Sequence, residues 1–211
     1  MSIQRNLACC AAALALAVPA TSKTVNNCRI EPGALCTQTE LGAADLAGAD
    51  LSLANFSESD LSGADLRKAN LSGADFKLAN LRSADLRRAN LARADLEQTN
   101  LRDARLAGAS LRDANLKDAA LQGSNLTRAD LRGATLWGAQ LQGANFAGAD
   151  LRRANLGAAG LAGATFDGAD LRGANFGAAE LSGADLRNAR VDESTEFRGA
   201  RTKGCLGCPE S

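Results

Sequence analysis

Residues 61–80 read LSGADLRKANLSGADFKLAN, a single five-residue pattern repeated four times. In each pentapeptide a small residue precedes an Asp or Asn, which precedes a Leu or Phe. The register continues unbroken from Leu41 to Val191, so that 31 consecutive fifth positions carry Leu, Phe or Val. Leu fills all of them except Phe56, Phe76, Phe146, Phe166, Phe176 and Val191. A repeat of this regularity determines the architecture of most of the chain.

The period of five excludes the two common regular structures. In an α-helix five residues turn the chain by about 500°, so successive leucines would scatter around the helix. In a flat strand side chains alternate with a period of two, so an odd repeat would send the leucines to opposite faces. The pattern therefore predicts one bend in each pentapeptide. A chain that bends the same way every time coils into an all-β solenoid.

The five positions of the repeat are named here on one pentapeptide. Leu66 holds the core position, Asp65 the central position and Ala64 the small position, while Arg67 and Lys68 hold the first and second corners. Core and small positions are expected to face the interior. Because nothing larger than Thr occupies the small position, a Leu or Phe there should overpack the coil by about 1–3 kcal/mol or more. Central Asp and Asn side chains can hydrogen-bond neighbouring backbone, and we interpret them as structural.

The run of A-D/N-L-x-x pentapeptides over residues 39–191 resembles the pentapeptide-repeat proteins. This resemblance implies a right-handed quadrilateral β-helix with four pentapeptides per coil, and hence about eight coils. Phe56 and Phe76 lie 20 residues apart, and so do Phe146 and Phe166, as expected if bulky core residues stack in neighbouring coils.

The N-terminal 20 residues are typical of a signal peptide. Arg5 precedes an apolar run over residues 7–18, and small residues allow cleavage after Ala20. We therefore expect an exported protein, periplasmic or secreted; an uncleaved apolar tail or membrane anchor is the alternative, and a lipoprotein signal at Cys9 or Cys10 fits less well. After residue 20, no stretch is long and apolar enough to span a membrane.

Four cysteines remain after the expected cleavage, two near each end of the repeat. Since the ends of a solenoid lie far apart, we expect Cys28 to pair with Cys36 and Cys205 with Cys208. Such bonds suit an oxidising compartment and would hold caps over the strand edges, with residues 21–38 as the N-terminal cap and 192–211 as the C-terminal cap. The Cys205–Cys208 spacing also leaves a redox pair or a metal ligand as alternatives.

Composition argues against catalysis. The chain has no His, and it lacks a nucleophile elbow, a phosphate-binding glycine loop and a metal-ligand cluster. The Gly-rich nonapeptide of calcium-binding β-rolls is missing as well. The sequence therefore predicts a protein that is not an enzyme and uses neither cofactor nor metal.

Folding the repeat at 20 residues per coil stacks arginines in one column. Its members are Arg112, Arg132, Arg152 and Arg172. Two residues before each of them stands Ser110, Asp130, Asp150 or Asp170. Two interpretations follow: a solvated surface whose charges cancel, or a site for an anion, a polysaccharide or a nucleic acid. The absence of interleaved aromatic residues argues against nucleic acid.

Equivalent corners of three later coils carry Trp137-Gly138, Gly157-Ala158 and Gly177-Ala178. They would form a smooth uncharged strip with the chain's single Trp at its edge. Exposed apolar strips often mark contact surfaces, so we predict that this one binds a protein partner or a second copy. The alternative is an isolated exposed Trp beside ordinary corners.

These observations predict an exported, non-enzymatic scaffold or interaction module whose protein partner the sequence does not identify. The family resemblance implies a different function, because some pentapeptide-repeat proteins mimic duplex DNA and act on type II topoisomerases. Equal numbers of basic and acidic residues, 24 of each, argue against a DNA mimic, and so does the export signal.

Overall fold

A computed structural model describes residues 23–208. The expected signal peptide (1–20) lies outside these residues, as do residues 209–211 of the expected C-terminal cap. Strand β1 (Thr24–Val25) pairs antiparallel with strand β2 (Cys28–Arg29). The remainder, up to residue 208, consists of turns and single parallel bridges. Within 23–208 no helix is long and apolar enough to cross a bilayer.

The chain returns alongside itself every 20 residues. Parallel bridges join each central residue to the central residue four pentapeptides later, from Leu35 with Asn55 to Asp170 with Arg190. These bridges form four ladders, named by their central residues: ladder A contains 40, 60 and 80, ladder B 45, 65 and 85, ladder C 50, 70 and 90, and ladder D 35, 55 and 75. This spacing agrees with the expected four pentapeptides per coil.

Each pentapeptide turns at its two corner residues. The carbonyl of the core residue accepts a hydrogen bond from the N–H three residues later, as from Ala69 to Leu66 at 3.1 Å. From Gln38 to Asn188, the residue at the second corner of each pentapeptide has a positive φ between 52° and 69°. In a type II β-turn the third of the four residues has a positive φ. The second corner holds that place in each turn, which explains the frequent glycine at this position.

In pentapeptide 66–70, which follows a central Asp, all five backbone N–H groups find acceptors, and one acceptor is a side chain. The N–H of the first corner donates to the carboxylate or amide oxygen of the preceding central residue. Three of the others donate to carbonyls of adjacent coils. For residues 66–70 the acceptors are Asp85 O, Asp65 Oδ1, Arg87 O, Leu66 O and Ala49 O, at 2.8, 3.1, 3.1, 3.1 and 2.9 Å. This explains the central Asp and Asn as structural residues.

The interior is filled by the repeat itself. Every core residue from Leu41 to Leu186 is at most 3% exposed. Phe56 stacks on Phe76 with ring centroids 5.1 Å apart, and Phe146 stacks on Phe166 at 4.9 Å, which confirms the expected stacking.

The N-terminal end is closed by the β1–β2 hairpin. The Cys28–Cys36 disulfide joins the hairpin to the first coil, and both cysteines are buried. Lys23 Nζ donates to the Asp45 carbonyl at 2.7 Å, and Asn26 Nδ2 donates to the Glu40 carbonyl at 2.6 Å. The hairpin's side chains thus bind carbonyls of the first coil that have no preceding coil to pair with.

The C-terminal end continues the coil with one extra residue. Asn175 pairs with Glu196, 21 residues away, and this shifted register persists to the pair of Asp185 and Leu206. Phe197 stacks on Phe176 at 5.1 Å. The paired region therefore extends past residues 39 and 191, the bounds of the regular sequence repeat. Backbone hydrogen bonds hold the coils together, so pairing does not require a Leu at every core position.

Candidate interaction surfaces

An Asp-Leu-Arg triplet, with Asp at the central position and Arg at the first corner, occurs six times. In each triplet the Arg Nε donates to Asp Oδ1 at 2.8–2.9 Å, and Nη2 donates to Oδ2 at 2.5–2.7 Å. We call this bidentate pair an Asp–Arg clamp. The clamps are Asp65–Arg67, Asp85–Arg87, Asp130–Arg132, Asp150–Arg152, Asp170–Arg172 and Asp185–Arg187.

The four arginines of the predicted column lie together beside ladder C, where aspartates neutralise them. Three of its four members belong to clamps. The column also forms ion pairs from coil to coil: Arg112 to Asp130 at 3.1 Å, Arg132 to Asp150 at 3.4 Å, and Arg152 to Asp170 at 3.8 Å. Positive and negative groups alternate along the column, so an added anion would have to displace a carboxylate.

The clamps hold their carboxylates ionised. Hydrogen bonds from Arg67 and Arg187 lower the pKa of Asp65 and of Asp185 to about 2. The pKa of Asp130 is also lowered, first by its hydrogen bond from Arg132. Clamping arginines likewise lower the pKa values of Asp85 and Asp170.

These shifts predict a loss of stability in acid. A carboxylate whose folded pKa lies below its unfolded value, near 3.9, stabilises the fold fully above that pH. Its contribution is lost as the pH falls through the folded value, about 2 for Asp65 and Asp185. We expect the melting temperature, followed by circular dichroism, to fall between about pH 4 and pH 2. The variant D65N/D185N should show a smaller fall; an identical fall would contradict a role for these clamps.

Trp137 lies in the column that the sequence predicted for it. Its side chain is 45% exposed. The Lys117 ammonium lies 5.9 Å from the centroid of the ring. A Cβ added to Gly157, in the next coil, would lie 3.1 Å from Trp137 Cδ1, so the ring rests on this glycine. A larger residue at this position would require the ring to move by a few tenths of an ångström.

The three corners of the predicted strip are in direct contact. The N–H of Gly138 donates to the Gly157 carbonyl at 2.9 Å, and the N–H of Ala158 donates to the Gly177 carbonyl at 2.8 Å. We call Trp137 with these glycines and alanines the Trp137 strip. It presents one half-exposed indole beside two coils of uncharged backbone, a geometry suited to a protein contact.

Both expected disulfides are present. Cys205 is bonded to Cys208 at the C-terminal end of the coiled region, and Cys28 to Cys36 at the other end. With its sulfurs bonded to each other, Cys205–Cys208 offers no free thiolate as a metal ligand. In residues 23–208 no group of His, Cys, Asp or Glu is placed to hold a metal ion.

Sequence reasoning did not join Lys68, Arg88, Arg105 and Arg128 into one group of cations. None of them stands at a first corner after an Asp, so none can form a clamp within its own pentapeptide. That difference in position was a signal available in the sequence.

Comparison with known proteins gives consistent matches. The family model for pentapeptide repeats matches eight copies, over ranges that run from residues 34–73 to 159–195. A comparison with curated proteins found no match.

Among solved structures, the chain is similar to HetL, a pentapeptide-repeat protein involved in regulating heterocyst differentiation in the cyanobacterium Nostoc. The two are 36% identical over 81% of this chain and 88% of HetL, with a TM-score of 0.40. The chain is also similar to QnrB1, a plasmid-mediated fluoroquinolone resistance protein, at 25% identity over 81% of this chain and 83% of QnrB1, with a TM-score of 0.58. A thylakoid-lumen pentapeptide-repeat protein of Arabidopsis thaliana is 33% identical over 54% of this chain and 65% of its own, with a TM-score of 0.34.

Proposed function

The chain belongs to the pentapeptide-repeat family, and from this premise we propose that it is an exported, non-enzymatic interaction module. Its body is a right-handed quadrilateral β-helix of about eight coils, an inference supported by four turns in every 20 residues. The module binds a protein partner, or a second copy of itself, through the Trp137 strip. A rigid rod with a single aromatic contact point suits a scaffold.

The observation that carries this proposal is the half-exposed Trp137 ring resting on Gly157. Aromatic side chains are enriched among residues that dominate binding energy, particularly where the surrounding surface is flat and uncharged. The ring is already held in place by Gly157 and Lys117. Little side-chain entropy would therefore be lost when a partner covers it.

The charges support a non-enzymatic role. General acid–base catalysis requires a group whose pKa lies near the working pH. The clamped carboxylates are shifted in the opposite direction, with pKa values as low as about 2, because arginines stabilise their ionised form. The clamped carboxylates and arginines therefore balance the surface charge of the rod.

Export is supported by two features. The N-terminal 20 residues have the charge, apolar run and small residues of a signal peptide. Both disulfides stand at the ends of the solenoid, and such bonds persist in oxidising compartments.

Replacing Trp137 with alanine should abolish partner capture without unfolding the rod, because the side chain lies outside the core. The experiment is chemical crosslinking and affinity capture with the mature protein, together with sedimentation to detect self-association. Leu53→Ala is the matched control, since Leu53 is another exposed apolar corner residue, 72% exposed, that lies outside the Trp137 strip. Capture that survives in the Trp137 variant and fails in the Leu53 variant would contradict the proposal.

The alternative is a DNA mimic acting on a type II topoisomerase. Its support is the similarity to QnrB1, a fluoroquinolone resistance protein. The equal numbers of basic and acidic residues weigh against it, since a mimic of duplex DNA must be strongly acidic. Recovery of a topoisomerase in the capture experiment would favour this alternative.

A further inference from the structure

The Asp–Arg clamps distinguish six arginines from a nearby group of four cations. Arginines at first corners after an Asp are neutralised within their own pentapeptide. Lys68, Arg88 and Arg128 stand at second corners, and Arg105 stands at a central position. Within residues 23–208, none of these four side chains forms an ion pair. We call them the basic edge.

The basic edge is continuous because the coils stack its members. Lys68, Arg88, Gly108 and Arg128 follow one another at the same corner, between ladders B and C, in four successive coils. The N–H of Arg88 donates to the Ala107 carbonyl at 3.1 Å, and the N–H of Gly108 donates to the Thr127 carbonyl at 2.9 Å. Arg105 lies on adjoining ladder B, paired with Asp85 and Asn125. At roughly 4.8 Å per coil, Lys68 and Arg128 are roughly 14 Å apart.

The protein's zero net charge conceals an uneven distribution. The basic edge with the adjacent part of ladder B carries six cations against two carboxylates: Arg67, Lys68, Arg87, Arg88, Arg105 and Arg128 against Asp65 and Asp85. Half a coil further along the chain the balance is reversed. There Glu58, Asp75, Asp95, Glu97 and Asp118 stand against Lys77 and Lys117. An anion approaching the basic edge would thus meet an excess of positive charge.

A groove crosses the basic edge between Arg88 and Arg128. Gly108 forms its floor, and Ala107, Thr127 and Ala147 complete the lining. Arg88 runs along the floor, because its Cγ lies 3.6 Å from where a Cβ of Gly108 would stand. Arg88 and Arg128 therefore line a shallow depression that has no carboxylate in its lining.

We propose that the basic edge binds a linear acidic polysaccharide. Arg88 and Arg128 are two coils apart, roughly 10 Å, which is close to the length of one disaccharide. A polymer with one acid group per disaccharide can therefore meet Arg88 with one repeat and Arg128 with the next. Nucleic acid fits this surface less well, because bases need aromatic side chains to stack on. The described aromatic residues are core phenylalanines and Trp137, which stands at a different corner.

The test is fluorescence anisotropy with labelled hyaluronan, which carries one carboxylate per disaccharide, and with neutral dextran as the uncharged probe. The variant R88Q/R105Q/R128Q should bind hyaluronan about tenfold more weakly or worse. Its affinity should also depend less steeply on salt, because three fewer counterions are exchanged. The matched control is R132Q/R152Q/R172Q, which loses the same charge from the clamped column and should bind within about twofold of the unchanged protein.

Several results would overturn the proposal. Equal losses in the two triple variants would show attraction by net charge alone. Hyaluronan binding no tighter than dextran binding would show that no anion site exists. Duplex DNA that binds as tightly as hyaluronan, with the same dependence on Arg88 and Arg128, would assign the edge to another class of polymer. Thermal melts check that both triple variants remain folded at the temperature of the binding assay, as expected because all six arginines lie on the surface.

Discussion

Replacing Phe166 with alanine should lower the free energy of unfolding by about 3–5 kcal/mol. Phe166 is fully buried at the centre of an aromatic cluster. Its ring stacks on Phe146 at 4.9 Å and meets the edge of Phe176 at 6.0 Å. The truncation would leave a cavity that neighbouring coils cannot fill, because their positions are fixed by backbone hydrogen bonds on both sides.

The measurement is denaturant unfolding followed by circular dichroism. Phe166→Leu is the matched control, because Leu occupies most other core positions, and it should cost less than about 1.5 kcal/mol. If the alanine variant were no less stable than the leucine variant, the aromatic cluster would not be packed as described. Because each coil contacts only its neighbours, the loss should be largest for coils near Phe166.

Removing the Cys28–Cys36 disulfide should have the next largest effect. For a closed loop of about nine residues, the chain-entropy relation gives a loss of about 2.5 kcal/mol. A second loss follows, because the hairpin that this bond holds supplies the Lys23 and Asn26 donors to the first coil. Without the hairpin, an open strand edge is exposed and can pair with another chain.

Cys28→Ala/Cys36→Ala is the appropriate variant, since alanine adds no polar group to a buried position. Denaturant unfolding measures its stability, and size-exclusion chromatography detects association through the exposed end. Cys205→Ala/Cys208→Ala is the comparison, because its smaller loop holds no hairpin and should cost about 2 kcal/mol. Equal effects of the two double variants would contradict a capping role for the hairpin.

Much of the structure could be predicted from the local pattern. The turn at each pair of corners, the buried Leu and Ala, and the outward Asp and Asn all follow from the five-residue period. Both disulfides followed from the separation of the two ends. The clamps were predictable in principle as well, because an Asp at the central position and an Arg at the first corner, as in Asp130 and Arg132, lie on either side of the core residue that begins each turn.

How far the solenoid extends was harder to predict from the sequence. Cys36, Thr202 and Gly207 occupy core positions without resembling the repeat. The sequence marks a coil by its apolar side chains, whereas the structure maintains it through backbone hydrogen bonds. Pairing therefore continues beyond the last recognisable pentapeptide.

The sequence by itself determined that this chain coils and which residues fill the core, because these depend on a repeat within five residues, and it determined where the cysteines pair, because the two ends lie far apart. Only the tertiary structure decided which charges are also paired from coil to coil. Arg132 is paired both within its pentapeptide and to Asp150 in the next coil, whereas Arg88 lies along Gly108 and forms no ion pair within residues 23–208. The contacts with Asp150 and Gly108 join residues 18 and 20 positions apart, and their outcome depends on the reach of individual side chains across coils. The charge pattern of the surface that a partner would meet therefore depends on how the coils stack.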